Sequence, residues 1–234
     1  MPDRSGQPGD ELAAAAPLLR VHGLVCQRGE RRLFEPLTFA LGVGAIVWLR
    51  GANGQGKTTL LRTLAGLASP AEGTITWESG PGGDGDGSDE GGPSGDSPRP
   101  VYVAHANALK DDLTVAESLR FLLLLDGCIA APARLDAALA RFALDSRRDA
   151  FVRTLSQGQR RRVALARLAA MPGARPWLLD EPYDALDAAG IACLDALLVE
   201  HARRGGSVIL TSHMALSIDD PVPERIELHE PRPA

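Results

Sequence analysis

Gly51-Ala52-Asn53-Gly54-Gln55-Gly56-Lys57-Thr58, with Thr59 following, fits the pattern G-x-x-x-x-G-K-[ST] between an apolar run and a helix-like run. Glycines let successive backbone N–H groups wrap phosphates, and a helix N-terminus adds partial positive charge. Lys57 would reach the β- and γ-phosphates of a nucleotide, and the Thr58 hydroxyl would bind Mg²⁺. Downstream, Trp177-Leu178-Leu179-Asp180-Glu181-Pro182 is an apolar run that ends in two carboxylates. Asp180 can hold Mg²⁺ directly or through water, and Glu181 can polarise the water that attacks the γ-phosphate in line. Alone, two acids after an apolar strand more often mark a strand end or a helix start. Behind a phosphate-binding loop they supply the second half of a nucleotide site.

Two further segments carry chemistry only in that company. Ser156 and Gln159, in Leu155-Ser156-Gln157-Gly158-Gln159, have the S-x-x-Q spacing of a helix capping box. Arg160, Arg161 and Arg162 follow; they read as a solvated helix face or, with the glycine and hydroxyl, as an anion site. His213 stands just after the apolar run Val208–Thr211. Such a histidine is more often structural.

These residues need a frame, and the sequence alternates strand-like with helix-like segments. Strands are expected at Val43–Leu49, Thr74–Trp77, Val101–Ala104, Trp177–Leu179 and Ser207–Thr211. Helices are expected at Lys57–Leu67, from the Thr114–Glu117 capping box through Leu125, at Pro132–Leu144, at Ser156–Ala170, and at Ala188–Arg203 before Gly205-Gly206. The alternation implies a parallel α/β core. Residues 113–153 read without a strand, as a helical lobe inserted between core strands.

Composition narrows the class. The chain has 234 residues, 25 Lys+Arg against 30 Asp+Glu and 44% hydrophobic residues, a length suited to one domain with a sizeable core. No uncharged run approaches the roughly 18 residues of a membrane span; the nearest, Pro36–Leu49, contains Pro36, Gly42 and Gly44. Residues 1–17 lack a secretory apolar region and read as a flexible tail. Cys26, Cys128 and Cys193 have no metal-ligand spacing and fit a reducing cytosol. An acidic balance argues against a grip on nucleic acid. Residues 79–100 hold eight Gly, five acids and one Arg, which reads as a disordered insert: a solvated loop expansion or, less simply, an acidic tether for a basic partner.

In order, these motifs resemble those of an ATP-binding cassette (ABC) ATPase from Leu18 to about Leu228. The resemblance implies a P-loop NTPase α/β fold of the RecA-like kind, with an antiparallel β lobe, the inserted helical lobe at about 113–153, and a C-terminal tail at 229–234. It makes LSQGQ the signature segment, with Gln157 where a second glycine is commoner. Ser156, Gly158 and Gln159 would cap ATP held by the P-loop of a second copy. Asp187 would belong to the D-loop, and His213 would contact the γ-phosphate, acting with Glu181 and Lys57 in catalysis.

RGERRLF (28–34), HANALKDDLTVAESLRF (105–121), LSQGQRRRVALARL and LLDEPYDALDAAGI are similar to the haem-exporter ATPases of cytochrome c biogenesis. Two positions depart from the general cassette pattern. His105 stands where a Mg²⁺- and water-contacting glutamine is usual; it either takes over that role or tunes how nucleotide state reaches a membrane partner. Arg28 replaces the usual adenine-stacking aromatic, and a guanidinium can stack on a purine face. The resemblance implies an ATPase that uses Mg²⁺, works as a homodimer with two shared sites, and binds polytopic membrane subunits of a cytochrome c maturation complex. It would lie peripherally on the cytoplasmic face of the inner membrane and power haem export or haem release from its carrier. The alternatives are a transporter ATPase with another cargo and a nucleotide-gated interaction module without useful turnover.

Overall fold

The computed structural model describes residues 18–78 and 99–231. The tail 1–17, nearly all of the 79–100 insert and residues 232–234 lie outside the described residues. Ten strands and five α-helices are present among the described residues: β1 (Leu19–Val25), β2 (Gln27–Arg28), β3 (Arg31–Arg32), β4 (Leu37–Leu41), β5 (Ile46–Arg50), α1 (Lys57–Leu64), β6 (Glu72–Trp77), β7 (Val101–Val103), α2 (Val115–Leu125), α3 (Pro132–Arg141), α4 (Gln157–Ala170), β8 (Trp177–Leu179), α5 (Ala188–Arg203), β9 (Val208–Thr211) and β10 (Glu224–Glu227).

The expected parallel core is a five-stranded sheet in the order β10-β5-β9-β8-β7, every neighbouring pair parallel. Its three inner strands are apolar on both faces, as a sheet covered on both sides requires. Val47, Leu49, Leu178 and Ile209 face one apolar cluster with Leu60, Leu61 and Leu64 of α1 and with Leu19, Val21, Leu24 and Leu41. Ile46, Trp48, Trp177, Leu179, Val208 and Leu210 face the other, with the apolar sides of α2, α3, α4 and α5. The antiparallel lobe is the sheet β4-β1-β6. Between 113 and 153 lie α2, α3 and two short 3₁₀ turns, with one isolated bridge from Thr114 to Phe151.

Both capping boxes are formed. The Thr114 hydroxyl accepts from the Glu117 N–H at 3.3 Å while Glu117 returns to the Thr114 N–H at 2.8 Å. Ser156 and Gln159 do the same for α4 at 3.2 and 3.0 Å. Each is worth about 1 kcal/mol against alanine. Three of the boundaries that differ from expectation do so for local reasons. Helix α1 stops at Leu64 because Gly66 turns left-handed at φ 71°, α3 stops at Arg141 ahead of Ala143 at φ 55°, and β5 starts only at Ile46, after a turn closed by the Ala45 N–H to the Gly42 carbonyl.

Candidate nucleotide-binding site

The loop 51–56 runs from the end of β5 to the start of α1. Gly56 sits at φ 97°, and a Cβ there would lie 2.8 Å from that of Leu33, so only glycine fits. Gln55 braces the loop from within: its Oε1 accepts from the Ala52 N–H at 2.5 Å and its Nε2 donates to the Leu228 carbonyl at 2.8 Å. Lys57 folds back across the loop and donates to the carbonyls of Gly51 (2.7 Å) and Ala52 (3.2 Å). Among the described residues no side chain caps α1, and its first turn holds no acid. Its leading N–H groups are therefore open to an anion.

At the end of β8, Asp180 is almost fully buried. One carboxylate oxygen accepts from the Thr58 hydroxyl at 2.8 Å and the other from the Thr211 hydroxyl at 3.1 Å. Glu181 has a left-handed backbone, φ 47°. Its N–H donates to Thr211 Oγ1 at 2.7 Å and its Oε2 accepts from the His213 N–H at 3.1 Å. Among the described residues its Oε1 is buried without a hydrogen bond, with His213 Nε2 3.5 Å away. A carboxylate oxygen free of hydrogen bonds beside a glycine-rich loop is what a base needs to take a proton from water. Thr211, buried at the end of β9, was not among the residues the sequence pointed to. A hydroxyl closing an apolar strand next to an acid pair was the only signal it offered.

Arg28, Asn53, Gly54, Gly56, Lys57, Thr58, Thr59, His105, Asp180, Glu181 and His213 line one cleft of about 280 Å³. Arg28 reaches it from the β2–β3 hairpin. His105 stands on the loop after β7, its Nδ1 3.3 Å from Asp184. A larger depression of about 400 Å³, lined by Arg134, Met171, Gly173 and Arg204 among others, shares none of these residues and has neither carboxylates nor a glycine-rich loop. Gly51, Ala52 and Gln55 shape the loop without lining the cleft.

The remaining expected residues do not enter it. Ser156 and Gln159 are occupied in capping α4. Gly158 packs so tightly that a Cβ would come within 2.7 Å of the Ala185 carbonyl oxygen. Asp187 caps α5 through the Gly190 N–H at 2.9 Å and pairs with Arg162; both contacts hold its carboxyl below the usual range, the Arg162 bond most. One chain thus carries the phosphate loop and the LSQGQ segment at different places.

The arginine cluster is not a solvated face. Arg160 pairs with Asp111 at 2.7 Å, Arg162 with Asp187, and Arg161 is 2% exposed. The cause is that α4 packs against α2 and α3 on one side and reaches the ends of β7 and β8 on another, so that even polar positions near its N-terminus meet protein.

Residues 34–184 match the family model described as ABC transporter. A cytochrome c biogenesis ATP-binding export protein from Methylococcus capsulatus is 44% identical over 204 residues, covering 87% of this chain and 94% of that one. A protein of the same description from Vibrio cholerae is 40% identical over 222 residues, covering 92% and 100%. Among solved structures, the ATP-binding subunit of an ABC transporter superposes with a TM-score of 0.74 at 26% identity over 91% of this chain and 86% of that one. An ABC transporter ATP-binding protein from Pyrococcus furiosus gives 0.71 at 25% over 90% and 96%. Identity at this level over nearly the full length of both partners leaves one assignment: this chain belongs to the ABC transporter family, in its cytochrome c biogenesis ATP-binding export branch.

Proposed function

We propose that this chain is the ATP-hydrolysing subunit of a membrane complex for cytochrome c biogenesis, powering haem export or haem release from its carrier. The observation that supports hydrolysis is the buried Oε1 of Glu181, which makes no hydrogen bond among the described residues and lies in the same cleft as Lys57, Thr58, Asp180 and His213. Lys57 exchanges its two carbonyl partners for the β- and γ-phosphates. Glu181 orients and partly deprotonates the attacking water, and His213 is placed to meet the γ-phosphate. Arg28 stacks on the adenine, and His105 lines the same cleft.

Thr58 and Asp180, oxygen donors 2.8 Å apart, fit Mg²⁺. Among the described residues no group of three His, Cys, Asp or Glu converges, which suits an ion that keeps water and substrate phosphates and takes few protein ligands. When bound it would neutralise charge on the β- and γ-phosphates.

Because Ser156, Gly158, Gln159 and Asp187 stand outside the cleft, two copies complete two sites, each P-loop facing the partner's LSQGQ segment. ATP joins the copies and hydrolysis releases them. Among the described residues no helix is long and apolar enough to cross a membrane. The reading is of a peripheral subunit on the cytoplasmic face of the inner membrane, bound to polytopic partners.

The test pairs two variants. Glu181→Gln keeps shape and phosphate contacts, so ATP still binds; phosphate release falls about 10²–10⁴-fold and an ATP-dependent dimer persists on sizing. Lys57→Ala loses nucleotide affinity and forms no dimer. Near-normal turnover in Glu181→Gln removes it as the base, and a trapped dimer in Lys57→Ala sinks the shared site. Pull-down from detergent-solubilised membranes checks the cargo reading, which fails if the membrane subunits recovered are not those of cytochrome c assembly.

A further inference from the structure

Arg161 makes six hydrogen bonds beside the cleft, and it holds cleft residues only by their backbones without lining the cleft itself. From α4 its Nε donates to the Pro182 carbonyl at 3.2 Å, and its Nη2 donates to the carbonyls of Asp180 (2.9 Å) and Glu181 (2.6 Å). Its Nη1 turns to the loop after β7 and donates to the Ala104 carbonyl (2.9 Å), the His105 carbonyl (3.4 Å) and Asn107 Oδ1 (3.1 Å). One buried guanidinium thus joins the segment that carries Glu181 to the segment that carries His105, which follow the neighbouring strands β8 and β7 and both line the cleft.

The Glu181 backbone needs such a hold. A positive φ at a non-glycine residue is uncommon, and this one precedes a proline. Its N–H is held by Thr211 and its Oε2 by the His213 N–H; its carbonyl is held by Arg161. The same carbonyl also accepts from the Asp184 N–H at 3.2 Å, a bond within the same turn that does not reach the segment 104–107. A planar fork with five donors can serve two loops at once, whereas an ammonium can serve only one well.

We propose that Arg161 is a positioning residue for hydrolysis: it fastens the Glu181 backbone to the segment 104–107 and so aims the Glu181 carboxylate. This rests on Glu181 being the water-polarising group.

The test measures steady-state ATP hydrolysis and ATP affinity of the full chain carrying Arg161→Met or Arg161→Lys. A misplaced catalytic group costs up to about 10²-fold, so kcat should fall about 10–10²-fold in Arg161→Met and less in Arg161→Lys. KM and the ATP Kd should stay at the wild-type value, since Lys57, Thr58 and the Asp180 carboxylate do not touch Arg161. Because Arg161 acts through Glu181, Arg161→Met should slow single-turnover hydrolysis no further when Glu181→Gln is already present. Wild-type kcat in folded Arg161→Met, a loss of affinity that matches the loss of kcat, or an undiminished further loss on top of Glu181→Gln would each overturn the proposal. If Arg161→Met does not fold, Arg161→Lys decides; failure of both to fold would make Arg161 a folding residue and overturn it too. Slow Glu181→Gln with fast Arg161→Met defeats only this proposal, whereas fast Glu181→Gln defeats the hydrolysis reading on which it rests.

Discussion

Replacing Thr211 by valine tests the core of the site with almost no change of shape. The hydroxyl is fully buried, accepts the Glu181 N–H at 2.7 Å and donates to Asp180 at 3.1 Å. Valine strands the Glu181 N–H, and a buried unsatisfied donor costs about 1–3 kcal/mol. It also removes a bond to a carboxylate, worth about 1.5–3 kcal/mol, although Asp180 keeps its contact with Thr58 and so recovers part of this. A loss of about 3 kcal/mol follows. In a domain near 200 residues each kcal/mol shifts Tm by about 2–4 °C, so Thr211→Val should melt about 6–12 °C lower. Thr211→Ser keeps both bonds and removes one methyl, for a loss of about 1 kcal/mol. Thermal melting followed by circular dichroism, without nucleotide, compares the two. Valine melting within about 2 °C of wild type, or above serine, would refute the argument that this hydroxyl ties the two acids together.

Two further outcomes are expected. Gly158→Ala pushes a Cβ against the Ala185 carbonyl at 2.7 Å, which costs about 1–3 kcal/mol. It should abolish the ATP-dependent dimer on sizing while a nucleotide titration of the monomer stays unchanged; normal dimer formation would count against the shared site. His201 is stacked on Trp177 at 3.5 Å, and burial lowers its pKa to about 4, against the opposing bond to the Arg175 carbonyl. The unfolded chain takes up that proton at a higher pH than the folded one, so stability is flat above about pH 6.5 and falls between about 6.5 and 4, by about 2–3 kcal/mol. Urea unfolding at pH 7.5 and 4.5 should show His201→Phe losing less than wild type over that interval, and equal losses would refute the assignment.

Some features of this protein are properties of contiguous residues and can be read without a fold. A glycine-rich turn before Lys57, an acid pair after an apolar strand, and the reciprocal capping of Thr114 with Glu117 and Ser156 with Gln159 involve groups a few residues apart, whose geometry follows from local backbone rules. The same holds for the inner strands β5, β8 and β9, whose continuous apolar runs allow only a sheet buried on both faces. Strands β1, β4 and β10 are not legible in this way because their character comes from partners: Glu224–Glu227 is polar and largely exposed, and is a strand only because it pairs with β5.

Tertiary structure alone decided the rest. That Arg161 is buried and Arg160 is not depends on what packs against α4, which no periodicity within Gln157–Ala170 encodes, because nearly every side of that helix is covered. That Thr211 joins Asp180 to Glu181 depends on β8 and β9 being neighbours, though about thirty residues of chain separate them. And the placement of the LSQGQ segment outside the cleft, on which the two-copy site rests, is a relation between α1 and α4 that only the folded sheet fixes, since the helices share no local sequence and each is positioned by the strand it follows or covers.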